Sequence, residues 1–202
     1  LDPRRRADIM PFIDALHRRL ELPILYVSHN IDEITRLADR VVVLHDGHVA
    51  ASGEVADVLN QADIQALILG EGGDSDPAAI VEATVAAHDA EHHVTRLSVG
   101  NAQISLPLLP LNVGAKARLR IHARDVAIAT EPPHHISIQN IIEAEISSIT
   151  PASNGQCDIT LSLGDTHMLK SRITTRAQAT LGLRAGMKVW ALVKSVALAS
   201  GT

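Results

Sequence analysis

Residues 142–146 read Ile-Glu-Ala-Glu-Ile, and residues 81–85, earlier in the chain, read Val-Glu-Ala-Thr-Val. Both segments alternate apolar and polar side chains, which is the pattern of a half-buried β-strand. Two further pairs follow in the same order: 97–100 with 161–164, and 124–129 with 194–199. The offset between the copies grows from 61 to 70 residues, so the copies differ by loop insertions. This repetition predicts two similar small β-barrels and allows them to close on one another.

A glycine-rich, acidic linker at 71–77 separates two regions with different patterns. Residues 1–70 mix helical and strand-like signals, whereas residues 78–202 contain short strand-like runs, with the copies at about 78–130 and 138–200. The predicted strands are 80–85, 94–99, 102–106, 117–121, 126–129, 141–149, 157–163, 166–173 and 188–198. We therefore predict an α/β region followed by an all-β, OB-like tandem barrel.

Helical and strand-like signals alternate within residues 1–70. Asp2 and Pro3 are typical of a helix start, and apolar residues at 9, 12, 13, 16 and 20 form one stripe of that helix. The unbroken apolar run 24–27 is typical of a buried parallel strand. The remaining predictions are a helix at 31–38, a strand at 41–44, an Asp-Gly hairpin turn at 46–47, a returning strand at 49–51 and a helix near 55–59.

Composition excludes several classes of function. The 202 residues carry 18 Lys plus Arg against 23 Asp plus Glu, a net charge of −5, with one Phe, one Trp and one Tyr. Nucleic acid is therefore not an expected partner, since its binding needs a basic surface or stacking aromatics, and the core must be aliphatic. The single cysteine, Cys157, excludes an intramolecular disulfide and a Cys-rich zinc site. No apolar run approaches the length of a membrane span.

Only the last third of the chain is basic. Residues 136–202 carry six basic and four acidic side chains, a net charge of +2, whereas the rest of the chain is acidic. A solvated face is the simpler interpretation of this charge, and anion binding is the alternative. The six basic residues are Lys170, Arg172, Arg176, Arg184, Lys188 and Lys194.

Ser28 and His29 follow the predicted strand 24–27, where open α/β sheets place ligand-binding groups. A family resemblance rests on Leu1-Asp2-Pro3, Tyr26-Val27-Ser28-His29, Glu33, Ala38-Asp39-Arg40-Val41, Asp46-Gly47 and Gly53. This set resembles the C-terminal part of an ABC-transporter ATPase domain. The resemblance implies that Asp2 belongs to the D-loop, which crosses the dimer interface, and that His29 is the switch histidine, which contacts the γ-phosphate of ATP. A neutral imidazole can form such a hydrogen bond with a phosphate.

The phosphate-binding elements of that family are absent from these 202 residues. No glycine is followed by lysine, so the loop G-x-x-x-x-G-K-[ST] is missing. Also missing are the family's serine-glycine-glycine signature, the acidic strand end that holds magnesium and the glutamate that polarises water. We expect these elements, with the ATP and Mg²⁺ that they bind, to lie before Leu1 in a longer protein. We therefore expect the 202 residues alone to be inactive as an ATPase.

The second copy carries a different resemblance. Its residues are Asn140-Ile141-Ile142-Glu143-Ala144-Glu145-Ile146, Asn154-Gly155, Arg172-Ile173-Thr174, Leu183, Gly186-Met187-Lys188-Val189 and Val193-Lys194-Ser195-Val196. This run resembles the Mop-like or TOBE domains of molybdate importers, a family that binds oxyanions. The resemblance implies that Lys194 and Ser195 supply an ammonium and a hydroxyl to a tetrahedral dianion, molybdate or tungstate. The first copy has Arg124-Asp125 there, and its carboxylate should repel an oxyanion unless Arg124 neutralises it.

Together the two resemblances imply the ATP-binding, energy-coupling subunit of an ABC-type molybdate importer. Such a subunit would form a homodimer, contact membrane permease subunits, and depend indirectly on a periplasmic oxyanion-binding protein. It would lie peripherally on the cytoplasmic face of the inner membrane. One alternative keeps the ATPase with a TOBE tail but changes the cargo to sugar, polyamine, iron or sulfate. A second alternative, a non-enzymatic oxyanion-storage or regulatory protein, would have no use for a switch histidine.

The eleven histidines raise the question of a metal site. His88, His92 and His93 are spaced H-x-x-x-H-H, and His134 and His135 form a pair. Their flanking residues are typical of strand ends and loops, and no cysteine or carboxylate set accompanies them. We therefore interpret them as solvated loop histidines and expect no metal.

Overall fold

The computed structural model describes residues 12, 13, 16, 23–69, 76–164 and 167–201. The chain divides into two compact units, Leu1–Val58 and Leu59–Thr202. Residues 12, 13 and 16 of the first predicted helix are described, and they are helical. Asp2 and most of the predicted linker 71–77 lie outside the described residues.

The described part of the first unit contains helix α1, a β-hairpin and the start of helix α2. Helix α1 (Ile31–Leu37) begins after Asn30, whose side-chain oxygen accepts a hydrogen bond from the Asp32 N–H. Strands β1 (Arg40–His45) and β2 (His48–Glu54) pair antiparallel, and α2 (Val55–Leu59) follows. In the hairpin turn, Asp46 and Gly47 have φ angles of 48° and 78°. These left-handed angles are those of the predicted Asp-Gly turn, which is confirmed.

The predicted buried strand at 24–27 is wrong. Residues 23–28 form no strand, and Leu25 and Val27 are 94% and 89% exposed. A parallel strand buried on both faces needs neighbouring strands that satisfy its backbone and cover its side chains. No strand among the described residues pairs with this segment. Among the described residues the segment therefore lacks the neighbouring strands that would bury it.

The second unit is a tandem β structure, as the repeats predict. Helix α3 (Ala62–Leu69) precedes the first copy, and helix α4 (Thr175–Leu181) lies within the second. The strands of the first copy are β3 (Ala78–Asp89), β4 (Val94–Val99), β5 (Ala102–Pro107), β6 (Lys116–His122) and β7 (Val126–Ala129). Those of the second copy are β8 (Asn140–Pro151), β9 (Gln156–Ser162), β10 (Met168–Thr174), β11 (Lys188–Val193) and β12 (Ala197–Gly201).

Each copy gives its last strand to the sheet of the other copy. The two five-stranded sheets have the orders β12-β6-β3-β4-β5 and β7-β11-β8-β9-β10. Strand β7 of the first copy pairs antiparallel with β11, with Val126 opposite Val193. Strand β12 of the second copy pairs antiparallel with β6, with Ala197 opposite Arg120. The two copies are thus joined by a reciprocal exchange of strands.

The predicted strand 188–198 is wrong as a single strand. β11 ends at Val193, residues 194–196 cross between the sheets, and β12 begins at Ala197 in the other sheet. The polar pair Lys194 and Ser195 interrupts the apolar run at this point. The chain leaves the first sheet at this polar interruption.

One aliphatic core serves both copies. It lies between the exchanged sheets and contains Leu, Ile, Val and Ala side chains of both copies with the buried Cys157, and no aromatic residue. Its completely buried members include Leu97, Ile104, Leu119, Ile121, Ile146, Ile159, Leu161 and Leu169. This composition confirms the aliphatic core predicted from the scarcity of aromatic residues. None of the helices in the described residues is long and apolar enough to cross a bilayer.

Two amide side chains tie helix α3 and the residues before it to the strands of the second unit. Asn60 pairs twice with the backbone of Ile80, donating from Nδ2 to the carbonyl at 2.7 Å and accepting from the N–H at 2.9 Å. The buried Gln65 donates to the Ala78 carbonyl at 2.8 Å and accepts from Lys170 Nζ at 2.5 Å. Helix α3 therefore belongs to the second unit.

Candidate functional site

Lys194 and Ser195 lie in the segment that crosses from β11 to β12. Both side chains are exposed. No hydrogen bond or ion pair with another described residue engages the Lys194 ammonium or the Ser195 hydroxyl. The structure thus places a charged donor and a neutral donor next to each other, with both available to a ligand.

The corresponding segment of the first copy lies directly opposite Lys194. Arg124 and Asp125 belong to the short 3-10 turn that joins β6 to β7. The Lys194 backbone N–H donates to the Asp125 carbonyl at 2.9 Å, which extends the antiparallel pairing of β11 with β7. The exchange of strands therefore brings together the two residue pairs that the sequence identifies as copies. We call Arg124, Asp125, Lys194 and Ser195 the crossover site.

Arg124 pairs with Asp76 rather than with Asp125. The Arg124 Nε atom is 3.2 Å from Asp76 Oδ2, and the Arg124 backbone N–H donates to Asp76 Oδ1 at 3.3 Å. His122 Nδ1 lies 3.0 Å from the same Oδ2 atom. The condition that the sequence set for anion binding in the first copy, neutralisation of Asp125 by Arg124, is therefore not met in this structure. Sequence reasoning did not identify Asp76 as a functional residue, because it treated this carboxylate as part of the linker.

The crossover site suits a tetrahedral anion at an exposed position. The ammonium of Lys194 can form a charge-assisted hydrogen bond, and the Ser195 hydroxyl can add a neutral one. The Asp125 carboxylate lowers the positive potential of the site and so limits its affinity for a dianion. To bind a dianion tightly, the site therefore needs a second cation besides Lys194 that is not already paired, as Arg124 is with Asp76.

Strand β10 contributes basic residues that have structural partners. Arg172 donates from Nε and Nη2 to the two carboxylate oxygens of Asp158, at 2.7 Å each, and this pairing raises the pKa of the guanidinium. Lys170 donates to Gln65, and burial lowers the pKa of its ammonium. These two cations of the basic last third are therefore partly buried and paired: Lys170 joins β10 to α3, and Arg172 joins β10 to β9.

His29 lies in a tight turn between residues 23–28 and helix α1. On both sides of it the chain is held by hydrogen bonds: Tyr26 and Ser28 donate their hydroxyls to Glu33 Oε2 at 2.9 and 2.5 Å, and the Asn30 N–H donates to Ser28 Oγ at 3.1 Å. Glu33 is buried, whereas the His29 side chain is exposed. This arrangement presents an imidazole on a fixed backbone, as a contact with a phosphate requires.

The clustered histidines form local contacts. His88 bonds Thr95 Oγ1 at 2.9 Å and the Leu111 carbonyl at 2.7 Å, and His92 bonds the Asp89 carboxylate at 3.1 Å. The Leu111 carbonyl can only accept, so His88 Nε2 donates this hydrogen bond. Within the described residues no group of three His, Cys, Asp or Glu side chains could hold a metal ion.

Residues 136–199, which cover nearly all of the second copy, match the family model of the TOBE domain. The chain is 43% identical over 201 residues to a molybdenum import ATP-binding protein, ModC, of Paramagnetospirillum magneticum, covering 100% of this chain and 54% of that protein. It is 39% identical over 198 residues to the ModC protein of Rhizobium johnstonii, covering 98% and 54%. The chain thus spans about half the length of the curated relatives it matches, their C-terminal half.

Among solved structures, the chain is similar to a crystal structure of the cytoplasmic molybdate-binding protein ModG with molybdate bound. The TM-score is 0.52 at 23% sequence identity, and the similarity covers 59% of this chain and 93% of that chain. At this identity the likeness establishes the fold of the tandem β structure alone.

Proposed function

We propose that the chain is the C-terminal half of the ATP-hydrolysing subunit of an ABC importer, and that the importer carries molybdate. The observation that carries the proposal is the 43% identity over 201 residues with a protein named for molybdenum import and ATP binding. That similarity runs through both structural units in the same order. A storage or regulatory protein built from tandem β copies would match the second unit alone.

The first unit contributes the switch histidine in this proposal. His29 is exposed on a turn that Glu33 and Asn30 hold in place, which suits a hydrogen bond to the γ-phosphate of ATP. Asp2 supplies the D-loop contact with a second copy of the subunit. The chain has no phosphate-binding loop, so its residues do not fit ATP and Mg²⁺ by themselves. The nucleotide would be held mainly by the part of the relatives that this chain does not span.

The second unit binds the oxyanion in this proposal, molybdate or tungstate. Lys194 and Ser195 are exposed, adjacent and unpaired within the described residues, which supports a direct contact with a tetrahedral anion. Backbone pairing of the exchanged strands holds the chain on both sides of the crossover site. Binding there would report the anion concentration to the subunit.

The partners follow from the importer role. The intact subunit forms a homodimer around ATP, contacts permease subunits in the membrane, and receives its substrate indirectly from a periplasmic oxyanion-binding protein. Its place is at the cytoplasmic face of the membrane as a peripheral subunit.

Calorimetric titration of residues 1–202 with molybdate, tungstate and sulfate tests the anion-binding part. We expect saturable binding of molybdate or tungstate, and no binding at millimolar concentration would contradict it. Transport by the full-length subunit with its permease, reconstituted in vesicles, tests the cargo. Uptake of sugar, polyamine, iron or sulfate in place of molybdate would establish the alternative importer.

A further inference from the structure

The ion pair of Asp76 with Arg124 joins two side chains of very different exposure. The Asp76 side chain is 15% exposed and that of Arg124 is 66% exposed. The buried Oδ2 atom of Asp76 lies within ion-pair distance of Arg124 and His122 but accepts no well-aligned hydrogen bond from a described residue. Such a pair is held by charge more than by directional bonding, and its exposed partner, Arg124, can reach other anions from solvent.

The position of Arg124 relates this pair to the crossover site. Asp125 is bonded to Lys194 through the backbone, so the preceding residue of the turn, Arg124, is at the level of Ser195 on the opposite segment. Arg124 also occupies the position in the first copy that Lys194 occupies in the second. Its long side chain can leave Asp76 through solvent, and Asp76 would keep its contact with His122.

With Arg124 paired to Asp76, Lys194 is the one cation of the crossover site that is available to a dianion beside the Asp125 carboxylate. A guanidinium suits the role of a second cation because its parallel N–H groups match the oxygens of a tetrahedral anion. We propose that Arg124 is a third anion-binding residue of the crossover site, and that Asp76 is an internal competitor that holds Arg124 when no anion is bound. This inference rests on the proposed oxyanion binding. It adds that the ion pair between Asp76 and Arg124 limits the affinity of the crossover site for the anion.

An internal competitor lowers the apparent affinity for molybdate, because only the molecules in which Arg124 is free can bind the anion fully. The apparent affinity is the intrinsic affinity multiplied by that free fraction. Asp76→Asn should therefore tighten molybdate binding to residues 1–202 by roughly three- to five-fold, the factor expected when an ion pair with one exposed partner no longer competes. Arg124→Ala should weaken binding by roughly ten-fold, the lower end for loss of a charge-assisted contact. The double variant Asp76→Asn with Arg124→Ala should bind no more tightly than Arg124→Ala alone.

Asp89→Asn is the matched control. Asp89 pairs with an exposed arginine, Arg96, at 3.3 Å, so the variant makes the same change in net charge away from the crossover site. It should leave molybdate affinity within two-fold of the wild type. In the wild-type chain, molybdate should also shift the nuclear magnetic resonance signal of the Arg124 Nε–H group, and Asp76→Asn should shift it before molybdate is added. Circular dichroism establishes that each variant is folded.

The outcomes separate this inference from the proposed function. If the wild type binds no molybdate at millimolar concentration, the proposed oxyanion binding is wrong and the inference fails with it. If the wild type binds molybdate but Asp76→Asn and Arg124→Ala bind it equally well, the inference alone is wrong. An equal gain in Asp76→Asn and Asp89→Asn would also overturn it, because net charge would then explain the effect.

Discussion

Replacing Gln65 by leucine should detach helix α3 from the strands of the second unit. The Gln65 side chain is 8% exposed, and its amide makes three hydrogen bonds. Nε2 donates to the carbonyls of Leu59 and Ala78 at 2.8 Å each, and Oε1 accepts from Lys170 Nζ at 2.5 Å. Leucine has a similar size but can neither donate nor accept, so all three partners lose a bond at once.

The expected loss follows from the kinds of bond that are broken. Each neutral hydrogen bond contributes about 1 kcal/mol to stability, and a bond to a charged group contributes about 1.5–3 kcal/mol. Lys170 is partly buried, and burial lowers the pKa of its ammonium. In the variant, water can therefore replace only part of the hydrogen bond that the ammonium loses. Together these contributions predict that the free energy of unfolding falls by about 3.5–5 kcal/mol. For a unit of this length that corresponds to a decrease in Tm of about 7–20 °C.

The single tryptophan provides the assay. Trp190 lies in β11, so its fluorescence during thermal or urea unfolding reports on the second unit. Gln61→Leu is the matched control: the residue is exposed, lies four positions before Gln65, and has no side-chain hydrogen bond with a described residue. Its effect should stay within about 0.5 kcal/mol. A loss below about 1 kcal/mol for Gln65→Leu would refute the view that this amide fastens α3.

Three further predictions concern the candidate sites and the buried thiol. Calorimetry should show molybdate binding weakened about ten- to a hundred-fold by Lys194→Ala and several-fold by Ser195→Ala, because the ammonium makes the stronger bond; equal losses would contradict this. In the full-length subunit, His29→Ala should leave nucleotide binding nearly intact and lower ATP turnover by about 10²-fold, and unchanged turnover would remove His29 from the mechanism. Burial raises the pKa of the Cys157 thiol, so a disulfide reagent should modify it only as fast as the second unit opens, and rapid modification of the folded chain would be inconsistent with its burial.

Local patterns predicted the elements whose stability depends on near neighbours in sequence. The turn at Asp46 and Gly47 was predicted because only a few residue types tolerate left-handed backbone angles. Helix α4 was missed although local signals exist: Thr174 accepts a hydrogen bond from the Ala177 N–H, and Gly182 ends the helix with a φ of 61°. A cap residue at Thr174 and a glycine at Gly182 together predict a short helix between them.

At residues 24–27 the local pattern predicts a strand that the structure does not contain. The apolar residues of this run are those of a buried strand, but burial depends on neighbouring strands that a local pattern cannot supply. Helix α3 is a related case, since Gln65 in this helix bonds Lys170, 105 residues further along the chain. Sequence periodicity carries no information on whether such distant partners are in place.

The crossover site depends both on a local sequence pattern and on partners that are distant in sequence. The alignment of the two copies makes Arg124 and Lys194 equivalent residues. It does not predict that the two residues lie close together in the fold. The exchange of strands makes them neighbours, and the 3.2 Å contact with Asp76 then decides which charges are available. Asp76 is 48 residues from Arg124 and belongs to no repeat, so no spacing could reveal it. Because the exchange builds one site from both copies, a carboxylate that precedes the first copy can set the affinity of a lysine near the end of the second.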